Sequence, residues 1–208
     1  MARLFSIKPP LTLKGRKFRG LRGWAGKPLH PPFTDFPIAA YIFTAAFDLI
    51  SFFADRMDHP QVAREAFTAA TYVMMAGAMV GVLASITGFW DWWKGLDREK
   101  TGPIGKAKHT QVWRTVNFHA ILMITTTGIV ITDIFIRRSQ YGDHRTSLVV
   151  LVLSGLAALL VSIGATYGGS LVFDYQFNVE GLKGSTVYDE TEVDQLPGDR
   201  SKPQTPPA

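Results

Sequence analysis

Two kinds of residue stand where they could do chemistry: histidines beside long apolar runs, and aspartates inside them. His30 lies in "KPLHPPFTDFPIAAY", just ahead of the first apolar run. His109 follows the second run, and His119 falls about one turn inside the third. Neutral imidazole suits iron, copper and zinc, so histidines brought to one face could ligate a metal or a haem iron. Their spacing carries no metal motif: no two lie at i, i+3 or i+4, and neither His-Glu-x-x-His nor Glu-x-x-His occurs. With no cysteine in the chain there is no thiolate site, no disulfide and no covalent haem attachment. Phosphate-binding glycine loops, nucleophile elbows and paired carboxylates in a cleft are also missing, so nothing argues for an enzyme acting alone.

Asp48 and Asp133 raise a different question, because charge inside a bilayer is expensive. Each needs a partner: Arg137 or Arg138, a proton, or a hydroxyl such as Thr125, Thr126, Thr127 or Thr132. A buried polar contact that fixes helix register is the plainer role for them, and a proton path the more active one.

The elements that must position these residues are membrane helices. Four apolar runs, Phe33 to Ala54, Phe67 to Phe89, Val116 to Ile136 and Leu148 to Phe173, each approach or exceed the ~20 residues a bilayer core requires. Backbone in lipid must satisfy its own hydrogen bonds, so the expected fold is all-α, four transmembrane helices in an up-down bundle. A soluble bundle would carry a polar stripe on each helix, and "YVMMAGAMVGVLASITGF" has none. Three parts follow: a basic arm and rigid proline elbow over 1–32, a membrane domain over 33–181, and a disordered acidic tail over 182–208. The arm holds eight Lys/Arg and no acid, and the loop from Trp90 to Arg114 holds six basic residues, against five in the two opposite loops together. This charge bias predicts that both termini are cytoplasmic. Lys14, Arg16, Lys17, Arg19 and Arg22 are then expected to rest on anionic lipid, and nucleic acid is not an expected partner.

Small residues form stripes at helical spacing: Gly77, Gly81, Ala84 and Gly88 in the second run, and Gly155, Ala158, Ser162, Ala165 and Gly169 in the fourth. Such faces let backbones approach, so these two helices are expected to meet each other or a partner. Trp90, Trp92 and Trp93 in "GFWDWWKGLD" have the composition of an interfacial aromatic belt.

Taken in order, "LHPPFTDFP", Asp48 in "FDLI", Gly88 and Asp91 in "GFWDWW", "HAILM" with Arg137 eighteen residues after His119, and "GGSLVFDYQFNVEG" resemble a bacterial membrane family known as domain of unknown function 2231. The likeness runs from about Leu29 to Gly181, and its most specific parts are the HP…FP opening and the GG-x-LV close. The resemblance implies a four-helix inner-membrane protein, in some members fused to a Rieske iron–sulfur domain, hence a redox neighbourhood; it implies no activity. It also implies asparagine four residues after His119, where this chain has Met123.

Three functions fit these residues. The least demanding is a non-catalytic membrane subunit or anchor that associates with other membrane proteins, redox proteins among them. The second is a b-type haem electron-transfer protein, with His30 and His119 as axial ligands and Gly81, Gly88 and Gly169 making room for the porphyrin. The third is a proton or small-solute pathway through Asp48 and Asp133. The second turns on one distance: His30 has chemical interest only if His119 faces it.

Overall fold

The computed structural model describes residues 29–101 and 110–178. Within them the chain forms four helices: α1 (His30–Arg56), α2 (Pro60–Thr101), α3 (Gln111–Ser139) and α4 (Leu148–Phe173). All four are long and apolar enough to cross a membrane, α2 over Pro60–Gly95. The basic residues Lys14, Arg16, Lys17, Arg19 and Arg22, the acidic tail and His109 lie outside the described residues.

The helices outrun the apolar stretches at most ends, because the stretches mark only what lies in lipid and a helix continues into the headgroups. α1 begins at His30, three residues before the expected span, so His30 belongs to the helix and not to an elbow ahead of it. Pro31 and Pro32 fit that first turn, where backbone N–H groups have no helical acceptor to lose. α1 stops sharply: Asp58 is left-handed at φ 60° and the His59 amide donates back to the Ala54 carbonyl at 2.9 Å, the six-to-one bond of a Schellman turn. α2 therefore starts at Pro60 and returns antiparallel beside α1. α3 and α4 each start on a hydroxyl cap, Thr110 accepting from Trp113 N at 3.0 Å and Ser147 from Val150 N at 3.4 Å. A single 3-10 turn, Tyr141–Asp143, joins them.

Each helix packs on two neighbours, α1 on α2 and α4, and α3 on α4 and α2, so α1 and α3 stand diagonally across the bundle, as do α2 and α4. The inward face of α4 runs Val150, Ser154, Ala157, Val161, Gly164, Leu171, at steps of four and three and then one of seven. This corrects two expectations. α2 and α4 do not meet: the Gly77 and Gly81 stripe of α2 lies against Ala40 and Tyr41 of α1. The Gly155 to Gly169 stripe of α4 is one residue off its packed face, and a Cβ at Gly155 or Gly169 would touch nothing within 4 Å. The outer faces are apolar and bare, with Met79 and Ile124 each 73% exposed, as lipid-facing residues are.

Candidate functional site: two side-chain pairs on the bundle axis

His30 and His119 reach across the diagonal from α1 and α3 and face each other, ring centroids 6.4 Å apart and planes at 81°. Each ring is seated by the next helix in the chain. His30 Nδ1 lies 2.9 Å from the Ala84 carbonyl oxygen of α2, with Thr87 Oγ1 at 3.4 Å. His119 Nδ1 lies 2.9 Å from the Gly164 carbonyl oxygen of α4. A carbonyl only accepts, so in both rings the proton is assigned to Nδ1 and Nε2 keeps its lone pair. Four residues after each carbonyl stands a glycine that the imidazole leans on. A Cβ at Gly88 would fall 2.6 Å from His30 Cε1, and one at Gly168 3.2 Å from His119 Cε1. Two hairpins thus build one half-site each, by the same device.

The same repeat recurs at the other end. Asp48 follows His30, and Arg137 follows His119, by eighteen residues, which is five helical turns and returns to the same face. There Arg137 Nη1 donates to Asp48 Oδ1 at 3.0 Å and Nη2 to Asp48 Oδ2, while Nε donates to Asp133 Oδ1 at 3.0 Å. Both aspartates are fully buried and Arg137 is 1% exposed, over the ring of Phe67. Arg138 is exposed and takes no part. The hydroxyl on Asp48 is Thr146, at 3.0 Å, not one of the α3 threonines. Thr126, Thr127 and Thr132 donate to carbonyls of their own helix. Ser51 completes the cluster, donating to the Ala63 carbonyl and accepting from Thr146 N at 3.1 Å.

The remaining candidates separate from these two centres. Gly81 packs under the Tyr41 hydroxyl on the α1 side, and Gly169 faces open space while its neighbour Gly168 meets His119. Met123 turns its methyl onto Gly164, the residue that anchors His119. Trp92 donates from Nε1 to Asn117 Oδ1 at 3.2 Å, tying α2 to α3 beside the histidine end, and Trp90 and Trp93 are exposed. His59 is exposed at the aspartate end. His144 lines an open basin of about 280 Å³ there, with Asp55, Arg64, Asp143 and Arg145. Among the described residues no group of three or more His, Asp or Glu is placed to hold a metal ion.

After α4 the chain turns back through Gln176 and Asn178, both left-handed, and straps the histidine end. Phe177 lies over Gly95 of α2, and buried Asn178 donates from Nδ2 to the Asp91 carbonyl at 2.9 Å. Sequence reasoning passed over Gly168, Gly164, Thr146 and Asn178, and read Ala84 only as part of a packing stripe. Only Gly168 and Asn178 had a readable signal, the "GGSLVFDYQFN" segment.

The family model described as a predicted membrane protein, domain of unknown function 2231, matches residues 26–181. The chain belongs to this family. No curated protein and no solved structure matches it. In this member of family 2231 the matched region holds both centres whole, the histidine pair with its two glycines and the Asp48–Arg137–Asp133 cluster.

Could the histidine pair hold a haem? Two imidazoles bound on opposite sides of one iron, each by a bond of about 2 Å with its ring centre about 1 Å further back, place the centroids roughly 6 Å apart. The observed 6.4 Å fits that spacing, and rotation of either ring about the iron–nitrogen line leaves the 81° angle free. The bound Nδ1 of each ring is the second contact that ligating histidines require, fixing tautomer and aim.

Proposed function

We propose that this membrane protein carries a b-type haem between His30 and His119 and passes single electrons. One observation carries the proposal: two histidines from diagonal helices face each other at 6.4 Å, each held through Nδ1 by a carbonyl of the following helix. Bound there, the haem supplies a one-electron couple. The protein would supply two neutral imidazoles as strong-field ligands, and Gly88 and Gly168 the faces against which the rings rest. The charge bias of the arm and of the α2–α3 loop supports a cytoplasmic histidine end. Asp48 and Asp133, both on Arg137, act here as a register lock instead of a solute path.

The reduced-minus-oxidised absorption spectrum of the full chain, purified after haem-replete expression, tests this. A six-coordinate low-spin spectrum is expected, lost in His119→Ala and in His30→Ala. Absence of a Soret band removes the reading.

A membrane-subunit role keeps one observation of its own: the small-residue stripe of α4 with open space at Gly155 and Gly169 suits close approach by another helix. Migration as a bare monomer in every mild detergent tried would leave that role without support.

A further inference from the structure

We infer that electrons enter and leave this protein at the histidine end alone, so that donor and acceptor are both one-electron carriers meeting that end. The inference rests on the haem reading above. It comes from what occupies the other end of the same two helix faces.

A chain that moved electrons across the bilayer would need a second redox centre near the opposite surface. The diagonal helices α1 and α3 present one place for it, five turns along the faces that carry the histidines. That place is filled. Asp48 and Arg137 meet across the axis there, Asp133 takes the other edge of the guanidinium, and Thr146 from the loop and Ser51 from α1 close the cluster. The guanidinium lies over the ring of fully buried Phe67. No second pair of facing histidines stands among the described residues: at that end His59 is exposed and His144 meets Tyr141 edge-on in an open basin.

The separation is about 27 Å along α1, at 1.5 Å per residue from His30 to Asp48. The interval is filled by Tyr41, Met74, Val130, Ala157 and Val161, saturated or single-ring side chains with no metal or cofactor ligand set among them. Tunnelling weakens exponentially with distance, so one centre at one end serves one face. Per turnover, one electron from a reduced carrier converts ferric to ferrous iron, and the same electron then leaves to an oxidised carrier. No bond is made and no proton is required.

The test uses the full chain with its spectrum already recorded, sealed in phospholipid vesicles loaded with ferricyanide, with dithionite added outside. The fraction of molecules whose histidine end faces outward is measured separately by protease access to an N-terminal tag. We expect the haem reduced at once to match that fraction, the remainder to be reduced only after detergent, and trapped ferricyanide to stay unchanged until then. Immediate reduction of all the haem, or consumption of trapped ferricyanide in intact vesicles, overturns the inference and leaves the haem reading standing. Absence of a haem spectrum before reconstitution removes both.

Discussion

At position 88 any side chain larger than hydrogen would share space with His30: an added Cβ falls 2.6 Å from Cε1, 2.9 Å from Nδ1 and 3.2 Å from Nε2. The ring cannot retreat and still keep its 2.9 Å contact with the Ala84 carbonyl. At Gly168 the corresponding approach to His119 is 3.2 Å, which a small tilt of the ring relieves. The two alanine variants should therefore differ. Gly88→Ala forces overpacking of about 1–3 kcal/mol, and on the proposed haem reading we expect roughly tenfold or greater loss of haem affinity, whereas Gly168→Ala should lose about threefold or less. Haem titration of the apoprotein followed at the Soret band reads both. Equal behaviour of the two would mean that the rings are not seated as described.

At the level of helices and their junctions, the strap after α4 gives a separable test. A Cβ at Gly95 would lie 1.9 Å from Phe177 Cζ, so the helix keeps a glycine there although alanine is intrinsically better by about 1 kcal/mol. Gly95→Ala is expected to destabilise the protein by about 1–2 kcal/mol by ejecting the Phe177 ring, and to stabilise it slightly in a Phe177→Ala background. A double-mutant cycle on detergent-solubilised protein measures the sign change. Much at this scale was legible beforehand. Four spans and their order follow from apolar length and from charge placement. Other features were not. Glycine and alanine are as abundant on the lipid side of α4 as on its packed side, so composition could not choose between the Gly169 face and the Gly168 face one residue away. Thr146, the hydroxyl on Asp48, sits in a loop, where no periodicity points inward. The facing of His30 and His119 is a distance between diagonal helices, which spacing along one chain does not contain. Yet the eighteen residues that separate His30 from Asp48, and His119 from Arg137, were on the page as five whole turns.

Across the whole molecule those intervals make the bundle an approximate two-fold arrangement of two hairpins, with imidazole facing imidazole at one end and carboxylate facing guanidinium at the other. The ion cluster then holds the halves in register, and its charges are interchangeable in a way a local contact would not be. Arg137→Asp puts a third carboxylate beside Asp48 and Asp133 with no cation, and should cost at least the ~3–5 kcal/mol of breaking a buried pair. Asp48→Arg alone sets two guanidinium groups together across the axis and should cost a similar amount. Combined, the two changes again place one arginine between two carboxylates, since Asp133 lies one turn before position 137 on α3 and is already at the axis. The double variant should recover most of the lost stability, measured by thermal unfolding in detergent. Because the histidine pair lies about 27 Å away, on the proposed haem reading every variant that folds should keep the parent spectrum. If the double variant is as unstable as the singles, position 48 and position 137 do not meet across the axis, and the two-fold arrangement of the halves fails with them.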